Sequence, residues 1–399
     1  MSEFFDEGNN KRVYLDYAAT TPVDPRVVNA MLPYFTHRYG NASSIHSNGR
    51  EAKLALDNSR KTIANLMNAL SNEIFFTSSA TEANNWVLKG HAFRNGKEKT
   101  HIAISTIEHD CVLNSADWLK KKGYKVSYLP VDGHGLIDIM SLQSVLEEDA
   151  TLISVIHGNN EIGTVEPIKE IGHLCREHEA LFHTDAAQTF GKIPIDIREM
   201  NVDLMTVNAH KLYGPKGVGA LFIRDGVNLS PLLHGGGQER GGRSSTENVS
   251  GIVGFGKAAE LRSEEMEEEA IRLSNLRDKL INGALDIPES YLNGHPVKRL
   301  PNNVNLSFSY IEGEALILSL DSYGISASTG SACSSHSLDP SHVLLAIGLT
   351  PVKAHGSLRL SLGKYNKDDD IDYVLDVLPR SVRRLREISP LTPSELKTQ

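Results

Sequence analysis

A lysine and an aspartate each follow a short apolar segment of this sequence. Lys211 lies between "VDLMTV" (202–207) and "VGALFI" (218–223), and Asp185 lies in "HTDAAQ" (183–188). A lysine at the end of a strand is usually solvated, but one partly withdrawn from water has a lowered pKa, and its neutral amine can attack a carbonyl group. An amine and a carboxylate at one edge of a sheet suit pyridoxal phosphate, where lysine holds the aldehyde and aspartate keeps the pyridine nitrogen protonated.

Two further segments carry polar groups that suit the same chemistry. In "FTSSATEANN" (76–85), a small-residue turn would place backbone N–H groups and the Thr81 hydroxyl at a helix N-terminus, where a phosphate can bind. An ordinary N-cap formed by Ser79 or Thr81 is the alternative. His109, in "STIEHDCVL", follows an apolar segment. A histidine there is often a helix cap, but its ring can also stack on a flat cofactor and transfer protons near neutral pH.

The three cysteines of the chain are too few and too scattered for a disulfide framework, so each is expected to be a free thiol. Cys333 lies in "STGSACSSHSLDPSHV", whose small and polar residues are typical of an exposed loop, although cysteine is often buried. Cys111 is predicted to begin a helix and to pack against the protein. Cys175 lies near His173 and His178, but side chains at that spacing on a helix diverge, and no metal site is expected.

Short β-rich segments and helical segments alternate along the chain and would position these residues. Helical patterns separate short β-rich segments, namely "HIAIST" (101–106), "KVSYLPV" (125–131), "LISVIH" (152–157), "ALFHTDA" (180–186), "DLMTVN" (203–208) and "VGALFI". The alternation predicts an α/β fold with a mostly parallel sheet. Ligands of such sheets bind beyond the carboxyl ends of the strands. His109, Asn160, Asp185 and Lys211 all lie at or just after the ends of these segments.

The length of 399 residues exceeds the size at which a single hydrophobic core stops growing, so two domains are expected. Residues 13–260 are predicted to form the large domain that binds the cofactor. A charged amphipathic helix over 257–282 leads out of it. Residues 261–399, together with 1–12, are predicted to form a smaller α+β domain that carries Cys333.

Charge and composition disfavour several classes of partner. The formal net charge of −9 disfavours nucleic acid and anionic membranes as main partners. No segment approaches the roughly 20 apolar residues that a membrane span needs, and the N-terminal residues lack the pattern of a signal peptide. The glycine-rich segment "HGGGQERGGRSST" (234–246) lacks the spacing of nucleotide-binding loops. We therefore expect a soluble cytoplasmic protein that acts on a small molecule.

A series of segments, in order from about residue 13 to about residue 363, closely resembles group I cysteine desulfurases of the NifS and IscS type. This group belongs to the class V aminotransferase branch of fold type I pyridoxal-phosphate enzymes. The segments include "YLDYAATTPVDPRV", "FTSSATEANN", "HGNNEIGTVEPI", "HTDAAQTFGKIPID", "NAHKLYGPKGVGALF", "HGGGQERGGRSSTENV" and "STGSACSSHSLDPSHVLLAIGL". The resemblance implies removal of sulfur from L-cysteine, giving L-alanine and a persulfide on the enzyme. Acceptors of that sulfur would be proteins such as an iron–sulfur scaffold or a tRNA-thiolating enzyme.

The resemblance also implies how the cofactor would be held. Lys211 would form a Schiff base with pyridoxal phosphate, Asp185 would pair with the pyridine nitrogen, and His109 would stack on the ring and move protons. Gln188 would bond the phenolic oxygen of the cofactor, and Asn160 would be a further cofactor-binding position. The phosphate would be held by Ala80, Thr81, Asn208 and His210, with Thr246 contributed by the neighbouring subunit of a homodimer.

The substrate would be bound and attacked by three further matching positions. Asn160 and Arg359 would bind the carboxylate of L-cysteine, because a planar guanidinium matches a carboxylate bidentately. The thiolate of Cys333 would attack the substrate sulfur. Two positions depart from the family pattern: Asn208 stands where serine is common, and Ala42 stands where proline is usual.

Three alternatives stay open at the level of sequence. One is another pyridoxal-phosphate reaction on the same fold, such as selenocysteine cleavage or transamination. A non-enzymatic sulfur-carrying or scaffold protein is the second, and a nucleotide-binding protein is the third. The identity of the sulfur acceptor is also open.

Overall fold

A seven-stranded sheet forms the centre of the protein in a computed structural model, which describes residues 11–329 and 340–396. The strands are β1 (Val13–Tyr14), β2 (Ile74–Thr77), β3 (His101–Ser105), β4 (Lys125–Leu129), β5 (Leu152–Ser154), β6 (Leu181–Asp185), β7 (Leu204–Asn208), β8 (Gly219–Ile223), β9 (Ser290–Leu292), β10 (Asn303–Phe308), β11 (Ile325–Ser326) and β12 (Ser357–Ser361). The helices are α1 (Pro25–Met31), α2 (Pro33–Thr36), α3 (Ser47–Asn65), α4 (Ala80–Asn95), α5 (Asp110–Lys121), α6 (Ile139–Glu147), α7 (Ile168–Glu177), α8 (Val249–Leu285), α9 (Gly313–Asp321), α10 (His342–Ala346), α11 (Pro351–His355) and α12 (Asp368–Ile388).

The large sheet is mostly parallel, as the alternating pattern predicts. Its strand order is β2-β8-β7-β6-β5-β3-β4, and the pairs from β7 to β4 are parallel. Strand β8 runs antiparallel to both of its neighbours, β2 and β7. Every residue of β3, β5, β7 and β8 is buried. Sheets covered on both faces have this property, and it explains why these segments read as continuous apolar runs.

Helices cover both faces of this sheet. On one face α3, α7 and the first half of α8 pack against a core that includes Phe182 and Phe222. On the other face α4 and α5 pack against Ile102, Ile104 and Leu221. The fold is therefore a three-layer α/β arrangement, in which the loops at the carboxyl edge of the sheet are left to form a site.

A second core surrounds a smaller antiparallel sheet with the order β12-β10-β9. The later part of α8, α9 and α12 cover it, and strands β1 and β11 pair beside it. Helix α8 contributes Phe255 to the core of the large sheet and Leu276 to the second core. The division predicted near residue 260 stays a prediction, because α8 is continuous through it. Within the described ranges, no helix is both long and apolar enough to cross a membrane.

Candidate active site

Four parallel strands bring the predicted residues to one edge of the large sheet. His109 follows β3, Asn160 follows β5, Asp185 ends β6, and Lys211 follows β7. Asp185 is in register with Thr206 of β7, so the loop that carries Lys211 begins beside the strand that carries Asp185. The carboxyl ends of adjacent parallel strands meet at the same edge, which is where open α/β sheets bind ligands.

Lys211 is half-buried, and its amine is held by the segment that follows β1. Its Nζ donates to the carbonyl oxygens of Ala18 and Ala19, the latter at 2.7 Å. Gln188 Nε2 also donates to the Ala18 carbonyl, at 2.9 Å. The Ala18 carbonyl thus brings the predicted Schiff-base lysine next to the predicted partner of the cofactor's phenolic oxygen.

The amide of Gln188 has a second partner that the sequence did not point to. Lys192 Nζ donates to Gln188 Oε1 at 2.9 Å, which orients the amide so that Nε2 faces Ala18. Burial, followed by the nearby charge of Lys211, lowers the pKa of Lys192 to about 7. The site therefore contains two amines close enough to influence each other's charge.

The carboxylate of Asp185 is buried and carries two hydrogen bonds. Oδ1 accepts the backbone N–H of Ala187 at 2.9 Å, and Oδ2 accepts Asn84 Nδ2 at 2.6 Å. Asn84 lies in α4 and was not among the predicted site residues. No sequence pattern marked it, since "TEANN" reads as ordinary helix.

His109 is the N-cap of α5, so the helix-cap alternative considered from the sequence is correct for this residue. The backbone N–H of Cys111 donates to His109 Nδ1 at 3.1 Å. Because Nδ1 is an acceptor, the neutral ring carries its proton on Nε2. A cap and a proton-transfer group are compatible here, since capping occupies one ring nitrogen only.

The N-terminus of α4 lies at the same edge. Ser79, and not Thr81, caps the helix by accepting the Glu82 N–H at 3.1 Å, which leaves Thr81 exposed in the first turn. Gly219 in β8 permits this approach, because a Cβ there would lie 2.9 Å from the Ser79 carbonyl carbon. Ala80 begins the helix, so backbone N–H groups of the first turn are available to an anion.

The remaining predicted phosphate contacts lie on two segments, the end of β7 and the segment before α8. His210 Nδ1 lies 3.2 Å from Thr20 Oγ1, and burial, followed by the charge of Lys211, lowers the pKa of His210 to about 4. This ring is therefore neutral at pH 7. Asn208, at the end of β7, is buried, and its Oδ1 has no hydrogen-bond partner among the described residues. Thr246 is exposed.

Arg359, in the smaller sheet, contacts Asn160, in the loop that follows β5 of the large sheet. Arg359 is in β12 and only 3% exposed, and its Nη1 donates to the Asn160 carbonyl at 3.1 Å. Its Nη2 donates to Asp16 Oδ1 at 2.9 Å, a partner that the sequence did not reveal. A guanidinium held between these oxygens has a fixed plane, which favours bidentate carboxylate binding.

Cys333, the predicted nucleophile, lies outside the described residues. The chain just after the undescribed range contacts two loops of the site. Ser341 Oγ donates to Glu161 Oε2 at 2.5 Å, and His342 Nε2 donates to the Glu108 carbonyl at 2.9 Å. Glu161 is next to Asn160 and Glu108 is next to His109, so residue 341 is close to both loops.

The other two cysteines are free thiols in the structure. Cys175 is buried in α7, and burial raises the pKa of its thiol. His173, two residues earlier, is exposed. Over residues 11–329 and 340–396, no group of three or more histidine, cysteine or acidic side chains is arranged to hold a metal ion. Ala42, the second departure from the family pattern, packs against the core of the large sheet.

Comparison with known proteins places this geometry in a family. Residues 13–374 match the family model Aminotransferase class-V. The chain belongs to the class-V aminotransferase family. A relative from Methanosarcina thermophila, "Cysteine desulfurase IscS", is 53% identical over 389 residues, covering 98% of this chain and 96% of the relative. With this identity over nearly the full length, the chain belongs to the cysteine desulfurase branch of the class-V aminotransferases.

Two solved structures share the fold. A structure described as "NIFS-LIKE PROTEIN" is 40% identical, has a TM-score of 0.88, and covers 94% of this chain and 100% of its own. Another, "SspA in complex with cysteine", is 38% identical with a TM-score of 0.80 and covers 89% and 100%. The fold type I architecture predicted from the sequence is thereby confirmed.

Proposed function

We propose that this protein is a pyridoxal-phosphate-dependent cysteine desulfurase that takes sulfur from L-cysteine and leaves L-alanine. The observation that carries the proposal is the meeting of Lys211, Asp185 and His109 at one sheet edge, in a chain whose full-length relative is named a cysteine desulfurase. Selenocysteine cleavage and transamination use the same fold, but no contact among residues 11–329 and 340–396 favours either.

The donor groups at this edge fit pyridoxal phosphate. Lys211 offers a half-buried amine for the aldehyde, Asp185 a buried carboxylate for the pyridine nitrogen, and Gln188 an amide for the phenolic oxygen. The phosphate would be held by the start of α4 at Ala80 and Thr81, by Asn208 and His210, and by Thr246 of a second subunit, while His109 would stack on the ring and Asn160 would lie beside it. When bound, the protonated pyridine ring withdraws electrons from the α-carbon of the substrate.

The side chains of the protein supply binding and proton transfer. Arg359 and the Asn160 loop would orient the substrate carboxylate, because the guanidinium is already fixed by Asp16 and by the Asn160 carbonyl. The amine of Lys211 would accept the α-proton. His109, whose Nε2 carries the ring proton, would exchange protons with the substrate thiol.

The sulfur transfer proceeds without an external oxidant or reductant. The Cys333 thiolate attacks the sulfur of the substrate, an S–S bond forms, and the C–S bond breaks. The electron pair of the broken bond stays with the carbon skeleton, which takes a proton and leaves as L-alanine. Enzyme thiol and L-cysteine are thus converted to enzyme persulfide and L-alanine.

We also propose a cytoplasmic homodimer that passes its sulfur to an acceptor protein such as an iron–sulfur scaffold. The exposed position of Thr246 supports the dimer, since a residue donated to another subunit's site must lie at the surface. The scaffold acceptor is supported by the resemblance to IscS-type enzymes.

The test uses the purified full-length protein. We expect a visible absorption band after addition of pyridoxal phosphate, L-alanine and an enzyme persulfide after addition of L-cysteine without any keto acid, and no covalently held cofactor in Lys211→Ala. Chromatography measures the alanine and mass spectrometry measures the extra sulfur. A protein that takes up no pyridoxal phosphate and forms no alanine contradicts the proposal.

A further inference from the structure

Asn84 connects two groups of the candidate active site. It is completely buried in α4, and its Nδ2 lies 2.6 Å from Asp185 Oδ2 and 3.1 Å from Cys111 Sγ. Cys111, in the first turn of α5, has its Sγ 3.2 Å from His109 Nδ1, and its backbone N–H donates to the same nitrogen. These four residues form one continuous hydrogen-bonded path from Asp185 to His109.

We propose that Asn84 is a positioning residue which fixes the Asp185 carboxylate and, through Cys111, connects it to the His109 imidazole. The inference rests on the proposed function, which gives Asp185 and His109 their roles toward the cofactor. Asn84 acts only through these neighbours. Neither Asn84 nor Cys111 is needed as a group that touches the substrate.

The first effect of Asn84 is on the orientation of the carboxylate. The terminal torsion of an aspartate side chain is broad and is not fixed by rotamer preference alone. Here one oxygen is held by the Ala187 N–H and the other by the Asn84 amide. Two donors on opposite oxygens set the plane of the Asp185 carboxylate, and with it the direction of its remaining lone pairs.

The second effect of Asn84 concerns charge. Glu108 is completely buried nearby, and burial, followed by the charge of Asp185, raises its pKa well above the usual range. The raised pKa disfavours the charged form of Glu108, which lessens the repulsion between its carboxyl group and that of Asp185. An aspartate at position 84 would place a second carboxylate against Asp185, and two carboxylates at that distance cannot both ionise. Asparagine has the shape of aspartate but supplies a donor.

The path continues to His109 through the thiol of Cys111. Sulfur is a weak acceptor, which suits the Asn84 N–H, and the S–H is a weak donor, which suits the lone pair on His109 Nδ1. The backbone N–H of Cys111 points to the same lone pair. Both contacts keep Nδ1 an acceptor, so the ring proton stays on Nε2.

The first experiment compares wild type with Asn84→Leu, Asn84→Asp and the control Asn95→Leu. Asn95 lies on the same helix, about three turns from Asn84, and is exposed. Two quantities are measured: the dissociation constant of pyridoxal phosphate, by titrating the apoprotein, and the pH midpoint of the visible absorption band. We expect binding roughly tenfold weaker in Asn84→Leu, the scale of one hydrogen bond to a charged group, and a displaced midpoint. Asn84→Asp should have the larger effect, and Asn95→Leu should match wild type.

The outcomes separate this inference from the proposed function. A wild type that takes up no pyridoxal phosphate rejects both. A wild type that takes it up, while both Asn84 variants keep its dissociation constant and midpoint, rejects only the role of Asn84. Thermal unfolding of the apoproteins shows whether each variant is folded, and Asn84→Asp, which keeps the shape of the side chain, carries the test if Asn84→Leu does not fold.

The second experiment examines the Cys111 link through the pH profile of kcat. Cys111→Ala removes the side-chain contacts to Asn84 and His109 but keeps the backbone N–H, whereas Cys111→Ser restores a donor and an acceptor. We expect the alanine variant to shift the pH profile while binding the cofactor normally, and the serine variant to return the profile toward that of wild type. Identical profiles for all three proteins would rule out the connection to His109.

Discussion

Arg359 Nη2 donates to Asp16 Oδ1 at 2.9 Å, so β12 is joined to the segment that follows β1. The Nη1 atom of the same guanidinium donates to the carbonyl of Asn160, in the loop that follows β5, at 3.1 Å. The arginine is therefore fixed between the two sheets before any substrate binds. A guanidinium fixed in this way loses little conformational freedom on binding a carboxylate, which favours affinity and orientation together.

Replacing this arginine should weaken substrate binding selectively. Arg359→Lys keeps the charge but loses the planar fork, so we expect KM for L-cysteine to rise at least about tenfold while the absorption band of the cofactor stays unchanged. Steady-state alanine formation measures KM. The control is Arg380→Lys, which changes an exposed arginine of α12 that pairs with Asp376 and should leave both quantities as in wild type. Equal KM values for Arg359→Lys and wild type would remove Arg359 from the substrate site.

The main sheet and its ligand-binding edge could be predicted from sequence because local patterns determine them. The segments at 101–106, 125–131, 152–157, 180–186 and 203–208 become β3 to β7, and the pairs that these five strands form with one another are all parallel. Once the strands are parallel, their carboxyl ends must lie together. This places Asp185 and Lys211 at one edge without any knowledge of side-chain contacts.

Contacts between side chains of distant segments could not be predicted in the same way. Asp16 and Arg359 are 343 positions apart, and Asn84 reaches Asp185 from a helix packed on the sheet. Helical or strand periodicity gives the face on which a side chain lies, but not the atom that it meets. Burial of acidic residues is equally hidden, because a glutamate is expected at the surface and Glu108 is completely buried.

The proposed contribution of Thr246 to a second subunit can be tested by mixing two inactive variants. Lys211→Ala removes the amine of its own site, and Thr246→Arg should block the phosphate site of the neighbouring subunit. In a mixed dimer one site combines an intact Lys211 with an intact Thr246. Equal mixing after reversible dissociation should therefore restore about a quarter of wild-type alanine formation, since about half of the dimers are mixed and each has one intact site of two.

Two controls complete the mixing experiment. Each variant alone, treated identically, should stay inactive, and size-exclusion chromatography should show a dimer in every sample. Activity that does not reappear on mixing, although mixed dimers are detected by mass, would show that Thr246 serves its own subunit or none. A fully active monomer at micromolar concentration would contradict the dimer itself.

Replacing Cys333 should separate cofactor chemistry from sulfur transfer. Cys333→Ser should still bind pyridoxal phosphate and still change its absorption when L-cysteine is added, but persulfide should be absent. A hydroxyl is a far poorer nucleophile than a thiolate at neutral pH, so alanine formation should fall at least several tens-fold, more than about 2 kcal/mol of barrier at about 1.36 kcal/mol per tenfold. Alanine is measured by chromatography and the extra sulfur by mass spectrometry. Wild-type rates in the serine variant would make Cys111, beside His109, the next candidate nucleophile.

Glu166 makes the stability of the protein depend on pH, through a carboxyl group outside the proposed catalytic groups. It is buried, its Oε2 accepts the Ile137 N–H at 3.0 Å, and its Oε1 has no hydrogen-bond partner among the described residues. Burial raises the pKa of Glu166 to about 8 from the usual 4.5. Between pH 4.5 and pH 8, the folded protein therefore keeps a proton on Glu166 that the unfolded chain has already released. The contribution of Glu166 to the free energy of unfolding is fully present below pH 4.5. It is lost as the pH rises from 4.5 to 8, by at most about 1.4 kcal/mol per pH unit.

Glu166→Gln removes this titration while keeping the shape of the side chain and its acceptor for Ile137. We expect wild type to lose more stability than the variant between pH 5 and pH 8, with a difference of about 2 to 4 kcal/mol in the free energy of unfolding. Denaturant unfolding of the apoproteins at both pH values measures it. Glu170→Gln, at an exposed position of α7, is the matched control and should follow wild type. If Glu166→Gln and Glu170→Gln lose equal stability over this range, Glu166 is already ionised in the folded protein at pH 5, and its burial must be relieved by water or by a counter-charge.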